Sequence, residues 1–315
     1  MSTHRHTQCQ AKPLTPAYET TRRQFLQRLA AGGVVAGFGL LPFARSRAAE
    51  GWDCQIGVCN SSTQWDLIRK AGCSYVEENV GKLLNPTQPD GEFVKAAEQF
   101  KAKGIPVRAC NGFLPKELKL VGPEARHEAV VEYASKALAR AKLLGIQIVV
   151  LGSGGARNVP AGFERSRAEE QFVQVVKRLG QAAETHGVTV AMESLNRGET
   201  NFGTTLGECL KLINAVNHPR VCLVADMYHM LKENEGAEVI LAAGPKLVHC
   251  HIAEKAQRTP PGTEGDDFKP YLRALKKLGF RGGMSLECRW KNFGEELAPA
   301  VAALKKQIET VRAEA

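Results

Sequence analysis

Four short segments in the second half of the chain decide its fold: VTVAMES at 188–194, VCLVADMYH at 221–229, KLVHCHIAE at 246–254 and GGMSLEC at 282–288. Each is an apolar run of strand length with a metal-binding residue type near its end, and these residues are Glu193, Asp226, His251 and Glu287. They lie 33, 25 and 36 residues apart, close to what one strand and one covering helix occupy in an eightfold barrel of about 250 residues. The spacing predicts that four consecutive strands bring these side chains to one end of a parallel barrel.

The alternation of apolar runs with amphipathic stretches extends over the whole chain after residue 50. It predicts strands at 54–59, 73–78, 105–110, 146–151, 188–193, 221–226, 246–251 and 283–287. It predicts helices at 92–103, 124–144, 167–185, 205–216, 268–278 and 294–312. Eight such units without a long linker predict an α/β fold, a (β/α)8 TIM barrel in a single domain over residues 50–315. An open, doubly wound sheet is the alternative, but no G-x-G-x-x-G motif follows the first strand.

The first 49 residues have the composition of an export signal. Thr20-Thr21-Arg22-Arg23-Gln24-Phe25-Leu26 resembles the twin-arginine consensus, the run at 29–41 is apolar and rich in Gly, and Ser46-Arg47-Ala48-Ala49 has the small residues of a cleavage site. About thirteen apolar residues are too few to span a bilayer. We therefore expect a twin-arginine signal peptide at 1–49, which the twin-arginine export machinery would recognise, and a periplasmic mature chain without a stable membrane span.

Charge and cysteine content narrow the class of protein. The net charge is +9, but about two thirds of it falls in residues 1–48, so the barrel itself is only weakly basic. That balance gives no electrostatic case for nucleic acid as a partner. Eight cysteines follow the signal without any C-x-x-C pair, mostly in or beside apolar runs. We expect buried thiols rather than a disulfide framework.

The four residues at the strand ends indicate a kind of metal ion. Three carboxylates and one imidazole form a hard-to-borderline donor set, which suits one divalent Mn, Mg, Co or Zn ion and leaves positions open for substrate oxygens. Metal coordination also explains why acids end buried strands, since a buried carboxylate without a partner is costly. His249 lies two residues before His251, so its side chain is expected to point the same way, one layer deeper in the barrel.

These motifs resemble the xylose isomerase-like barrels, and within them the ketose 3-epimerases and hydroxypyruvate isomerases. The segment from Glu193 to Glu199 (ESLNRGE) looks like the family's metal-binding catalytic glutamate followed by a substrate-binding glutamate. Asp226-Met227-Tyr228-His229 resembles its Asp-x-x-His, a metal ligand followed by a substrate contact. His251-Ile252-Ala253-Glu254 with Arg258 is similar to its His-Ile-x-Glu and Arg, and Glu287 matches the second catalytic glutamate. The resemblance implies that Glu193 and Glu287 are catalytic and that Glu199, His229 and Arg258 bind substrate.

Three differences from the family patterns limit what the resemblance implies. Leu195 stands where true xylose isomerases have Lys, which disfavours a hydride shift between two metal ions. Ser194 stands where many members have Pro. The extra His ligands that the related DNA-repair endonucleases use for three zinc ions are not found in the first half of the sequence. The resemblance is therefore to the enzymes that use one metal ion.

The ligand types imply a mechanism of proton transfer. A metal that holds a carbonyl and a neighbouring hydroxyl oxygen acidifies the C–H between them and stabilises an enediolate. One glutamate would remove the proton and the other return it, which gives epimerisation at the same carbon or isomerisation at the neighbouring one. We therefore expect a metal-dependent isomerase or epimerase of a sugar or hydroxy-keto compound. Two alternatives remain open: a lyase that acts on a keto-sugar or 3-keto-glycoside at the same site, and a non-catalytic periplasmic sugar-binding protein.

Overall fold

The computed structural model describes residues 52–314, and these form a closed parallel barrel. The strands pair in sequence order, and the first also pairs with the last. They are β1 (Gln55–Cys59), β2 (Tyr75–Asn79), β3 (Val107–Asn111), β4 (Ile148–Leu151), β5 (Thr189–Glu193), β6 (Val221–Asp226), β7 (Leu247–Ile252) and β8 (Gly283–Leu286). The predicted (β/α)8 TIM barrel is confirmed. The predicted signal peptide at 1–49 lies outside the described residues.

Helices connect the strands and cover the barrel. They are α1 (Trp65–Lys70), α2 (Asp90–Ala102), α3 (His127–Leu143), α4 (Gly154–Arg157), α5 (Arg165–His186), α6 (Leu206–Val216), α7 (Met227–Lys232), α8 (Glu238–Ala243), α9 (Lys269–Leu278) and α10 (Phe293–Ala313). The six longer predicted helices agree with the structure to within a few residues at each end. Helices α1, α4, α7 and α8 were not predicted, because a helix of six residues or fewer is too short to show a 3.6-residue period.

Apolar side chains fill two separate regions. The larger lies between the barrel and its helices, where Phe172 of α5 and Leu304 of α10 are completely buried. The smaller lies inside the barrel and consists of Ala109, Ile148, Val150, Ala191 and Val224. Small and β-branched side chains suit the narrow interior of an eight-stranded barrel. The interior on the side of β3 to β6 is therefore an ordinary packed core.

The other side of the barrel interior is polar. Tyr75 and Glu77 of β2, His249 of β7 and Ser285 of β8 are all at most 2% exposed. Gly57 of β1 makes room for this layer, because a Cβ atom there would lie 2.2 Å from the Tyr75 ring. This buried polar layer lies directly beneath the strand ends that carry the predicted metal ligands.

The remaining expectations about the chain concern thiols and membrane spans. The eight cysteines within residues 52–314 are free thiols, and six of them are buried, as expected. Among the helices of this range, none is both long enough and apolar enough to cross a bilayer.

Candidate functional site

The four predicted metal ligands meet at the carboxyl end of the barrel. Glu193 and Asp226 are the last residues of β5 and β6, His251 lies one residue before the end of β7, and Glu287 follows β8 directly. One ligand atom from each residue lies within 4.8 Å of the other three. Because parallel strands all end on the same side of a barrel, the sequence spacing was sufficient to bring these side chains together.

The centre of this cluster is the Nδ1 atom of His251. It lies 2.6 Å from Glu193 Oε1, 3.1 Å from Glu287 Oε2 and 3.9 Å from Asp226 Oδ2. Three carboxylates around one imidazole carry more negative charge than the ring can balance, and this donor set is the kind that holds a divalent cation. The residues present therefore fit one divalent ion.

The charges of the cluster depend on one another. Burial raises the pKa of Asp226 to about 6, with Glu287 adding to the effect and Arg258 opposing it. Burial likewise raises the pKa of Glu193, although His251 opposes it. Burial would also raise the pKa of Glu287, but His251 and Arg258 hold it at about 2. Burial would lower the pKa of His251, yet the surrounding carboxylates keep it well above its usual value. The carboxyl groups of Glu193 and Asp226 and the ring of His251 therefore hold their protons more tightly than the free side chains do.

Arg258 lies across the mouth of the cluster. Its Nη2 atom donates to the Glu287 carboxylate and lies 3.3 Å from Asp226 Oδ2, while its Nε atom donates to the Glu287 carbonyl oxygen at 2.9 Å. Its Nη1 atom lies 3.4 Å from Glu199 Oε1. The guanidinium also lies 4.8 Å from the ring centroid of Tyr228, a cation–π distance. Arg258 and Glu199, both predicted to bind substrate, thus lie at the same opening as the ligands.

The loop that presents Arg258 is built around a buried carboxylate. Glu254 is 0% exposed and accepts hydrogen bonds from the backbone N–H groups of Gly262 at 2.7 Å and Gly265 at 3.1 Å, and from that of Glu264. Thr259 Oγ1 donates to the same carboxylate at 3.3 Å. A buried carboxylate is stable here because backbone donors satisfy it. Glu254 thus explains how a long loop after β7 holds Arg258 in place.

His229, the third predicted substrate contact, stands at the start of α7. The Asp226 carboxylate accepts from the His229 backbone N–H at 3.2 Å and so caps the helix. The ring Nδ1 of His229 accepts from the Asn196 backbone N–H at 3.0 Å, which leaves the proton of the neutral ring on Nε2. Burial lowers the pKa of His229 and favours the neutral ring. Within residues 52–314, no group accepts a hydrogen bond from this buried Nε2, so it can donate to a substrate oxygen.

Two side chains that contact the cluster were missed from the sequence. Glu77 of β2 lies beneath His251, with Oε1 3.0 Å from its Nε2 atom. Asn111, at the end of β3, donates to Glu287 Oε1 at 3.3 Å. The signal for Glu77 was present in the sequence, because the strand predicted at 73–78 carries two adjacent acids, Glu77 and Glu78, and one of them must face the barrel interior.

The backbone at the end of β5 is fixed by a buried arginine. Arg157 of α4 is 0% exposed, and its Nη2 atom donates to the Glu193 carbonyl oxygen at 2.8 Å. Gly152, just after β4, allows the Glu193 carboxylate to approach, since a Cβ atom there would lie 2.4 Å from Glu193 Oε2. The loop after β4 therefore positions Glu193 although it supplies no ligand.

Comparison with known proteins places this chain in a family. L-ribulose 3-epimerase from Methylomonas sp. (strain DH-1) is 36% identical over 152 residues, which are 48% of this chain and about half (51%) of the length of that protein. D-psicose 3-epimerase from Enterocloster bolteae is 26% identical over 228 residues, 70% of this chain and 74% of that protein.

A solved structure has a similar fold. The apo form of 3-keto-D-glucoside 4-epimerase from E. coli superposes with a TM-score of 0.68 at 20% identity, covering 81% of this chain and all of that one. The sequence profile of the Xylose isomerase-like TIM barrel family matches residues 65–313. The closed eight-stranded barrel and this match identify the chain as a member of the Xylose isomerase-like TIM barrel family.

Proposed function

We propose that this protein is a metal-dependent isomerase or epimerase of a sugar or hydroxy-keto compound. The observation that carries the proposal is that Glu193 and Glu287 approach the same His251 Nδ1 atom, at 2.6 and 3.1 Å, from strands three positions apart in the ring. Two carboxylates that reach one point from different strands can remove a proton from a bound substrate and return it. The names of the relatives, epimerases of ribulose and psicose, agree with this class of reaction.

The residues that would hold the ion are Glu193, Asp226, His251 and Glu287. A bound divalent Mn, Mg, Co or Zn ion would polarise a substrate carbonyl and stabilise negative charge on its oxygen. Direct measurement decides among these ions, because geometry and availability determine the bound metal more than the ligand types do.

The side chains in and around the ligand cluster would then have different roles in the reaction. One glutamate, Glu193 or Glu287, removes the proton next to the carbonyl, and the other protonates the resulting enediolate. The Nε2–H of His229 and the guanidinium of Arg258 donate to substrate oxygens, and Glu199 accepts from a hydroxyl group. The half-exposed position of Glu199, whose side chain is 40% accessible, suits contact with the distal end of a substrate.

The experiment is a substrate panel with the purified protein. Ketoses, hydroxypyruvate and 3-keto-glucosides would be incubated with protein that has been stripped by chelation and reloaded with Mn²⁺, Mg²⁺, Co²⁺ or Zn²⁺, and the products followed by proton NMR. We expect a metal-dependent epimer or aldose–ketose pair. An eliminated enone would instead establish the lyase alternative. Saturable sugar binding without any product, at full metal occupancy, would establish a binding protein and contradict the proposal.

We also propose that residues 1–49 direct the protein to the periplasm through the twin-arginine export machinery. The support is the sequence pattern around Arg22 and Arg23. In a bacterial host with this pathway, the full-length protein should be found in the periplasmic fraction, and the double substitution Arg22→Lys, Arg23→Lys should retain it in the cytoplasm. An unchanged periplasmic yield of the double variant would contradict the route.

A further inference from the structure

Glu77 is the most buried acid of the barrel interior that the proposed reaction does not use. It is 1% exposed, and its carboxylate accepts hydrogen bonds from three side chains. Ser285 Oγ lies at 2.7 Å and His249 Nε2 at 2.8 Å from Oε2, while His251 Nε2 lies 3.0 Å from Oε1 and 3.1 Å from Oε2. Tyr75 OH lies 3.1 Å from Ser285 Oγ and continues the network. A buried carboxylate with this many donors is held in one orientation.

The contact to His251 determines which of its nitrogens can bind a metal ion. In the neutral ring one nitrogen carries the proton and the other carries a lone pair. Nε2 faces the Glu77 carboxylate, which accepts a hydrogen bond but has no proton to donate, so the neutral ring keeps its proton on Nε2 when an ion occupies the Nδ1 side. The lone pair is then on Nδ1, the atom that faces Glu193, Asp226 and Glu287.

We propose that Glu77 is a positioning residue of the metal centre, which fixes His251 in the Nε2–H form and so directs its Nδ1 lone pair at the point where the carboxylates of Glu193, Asp226 and Glu287 converge. The inference rests on the proposed metal centre. Glu77 does not touch the ion or the substrate and acts through His251, as a carboxylate behind a ligating histidine commonly does.

A second ion beneath the first is the competing interpretation of the same residues. Cys59, Glu77 and His251 also offer ligand atoms that lie within 4.8 Å of one another. The Glu77 oxygens, however, already accept from both histidines and from Ser285 at 2.7 to 3.1 Å. We therefore infer one ion for each chain, with Glu77 as a hydrogen-bond acceptor and Cys59 without a ligand role.

The substitution Glu77→Gln tests the inference because the amide cannot accept at both positions. Ser285 and His249 donate to Oε2 at 2.7 and 2.8 Å, so the amide oxygen should occupy that position and the NH2 group should take the Oε1 position, 3.0 Å from His251 Nε2. An NH2 group at that position repels an Nε2–H and favours the ring form that accepts at Nε2 and carries its proton on Nδ1, where the ion would bind. We expect the affinity for Mn²⁺, measured by calorimetric titration of the purified protein, to fall by about 10- to 100-fold.

Glu78→Gln is the matched control. Glu78 is the next residue of the same strand and is also buried, but its carboxylate accepts from the backbone N–H of Ser62 and not from a predicted ligand. Its variant should bind Mn²⁺ with the affinity of the unsubstituted protein, to within about threefold, and Cys59→Ser should do the same. An unchanged affinity in Glu77→Gln would overturn the positioning role. Loss of one of two bound ions in Cys59→Ser would replace it with a second metal site.

A measurement on the unsubstituted protein keeps the inference testable if Glu77→Gln does not fold. Nitrogen-15 NMR of the histidine side chains, with ¹¹³Cd²⁺ as the bound ion, should show coupling of cadmium to His251 Nδ1 and a proton on its Nε2. Cadmium on Nε2 would overturn the inference. Protein that binds no divalent ion at all would instead contradict the proposed function. Failure of the inference and failure of the proposed function are therefore distinguishable.

Discussion

At the residue scale, His251 connects the two polar layers of the barrel. Its Nδ1 atom faces the carboxylates at the strand ends, and its Nε2 atom faces Glu77 below. His249, on the same face of β7, reaches only the lower layer, where its Nε2 atom lies 2.8 Å from Glu77. One residue step along a strand changes the face, and two steps change the depth. The HCH sequence of β7 therefore places the imidazole of His251 among the predicted metal ligands and that of His249 in the polar layer beneath them.

The first prediction concerns the pH dependence of metal affinity. In the metal-free site the pKa of Asp226 is raised to about 6, the pKa of Glu193 is raised, and the pKa of His251 is raised well above its usual value. Each must lose its proton to coordinate an ion, so binding competes with protonation and affinity rises with pH. Glu287, with a pKa of about 2, is ionised throughout and adds no dependence.

Each proton released adds about a factor of ten in affinity for every pH unit. Titrations of Mn²⁺ at about pH 5.5, 6.5 and 7.5 should therefore show a dissociation constant that falls by about tenfold or more with each step. A constant that does not change over this range would contradict this arrangement of charges.

The sequence predicted the upper layer of the site and His249 of the lower layer, but it missed Glu77, for a physical reason. The positions of the four predicted ligands follow from strand spacing, since any acid or histidine at a strand end reaches the same end of the barrel. Glu77 required knowing which of two adjacent acids faces inward. All four residues from Tyr75 to Glu78 in β2 are buried, so this strand lacks the alternation of polar and apolar residues that would indicate its inward face.

At the scale of elements, the loops after β4 and β7 position the site without supplying metal ligands. Arg157 of the short helix α4 fixes the backbone of Glu193, and Glu254 fixes the loop that carries Arg258. The positions of the strands and the long helices were predictable because these segments are long enough to show a regular pattern of apolar residues. The short helices and the inward side chains of these loops depend on tertiary contacts, and such contacts produce no periodic pattern in the sequence.

The second prediction follows from the close approach of Glu193 to the loop after β4. In Gly152→Ala the new Cβ atom would lie 2.4 Å from Glu193 Oε2, so the carboxylate must move by about an ångström. A displacement of that size in a catalytic group costs up to about 100-fold in rate. We expect turnover of the substrate identified by the panel to fall at least about tenfold, with metal affinity also reduced.

Gly91→Ala is the control for this substitution. Gly91 lies in α2, and a Cβ atom added there would meet no side chain or neighbouring segment within 4 Å. The added methyl group should therefore leave activity unchanged and stabilise the protein by about 0.4–1 kcal/mol, because alanine restricts the unfolded chain more than glycine does. Full activity in Gly152→Ala would show that the Glu193 carboxylate is not required in the position that the structure gives it.

At the scale of the whole molecule, the barrel divides its interior between stability and chemistry. The side of β3 to β6 is filled with small apolar residues, and the side of β2, β7 and β8 holds the polar network that ends at His251. The fold class could be predicted from the sequence because eight repeated units leave few alternatives. The division of the interior could be predicted only in part, because His249 and His251 were expected to point inward but the inward-facing acid of β2 was not identified.

The third prediction is that metal binding stabilises the entire barrel. An ion that binds only the folded chain adds about 2.7 kcal/mol at a concentration one hundred times its dissociation constant. For a barrel of this size, that raises the melting temperature by about 5 °C or more. Thermal unfolding with and without Mn²⁺ after chelation measures the shift, and Asp226→Asn, which removes one ligand, should abolish most of it. An equal shift in both proteins would place the ion elsewhere.

The most direct test of proton transfer by the two glutamates is hydrogen exchange on the substrate itself. Proton NMR in D₂O would follow the C–H next to the carbonyl of a ketose that the protein converts, with metal occupancy measured for each sample. We predict metal-dependent replacement of C–H by C–D in the unsubstituted protein and in Glu78→Gln, and its loss in Glu287→Gln at matched occupancy. Exchange that continues undiminished in Glu287→Gln, or that is independent of metal, would contradict proton transfer by this pair.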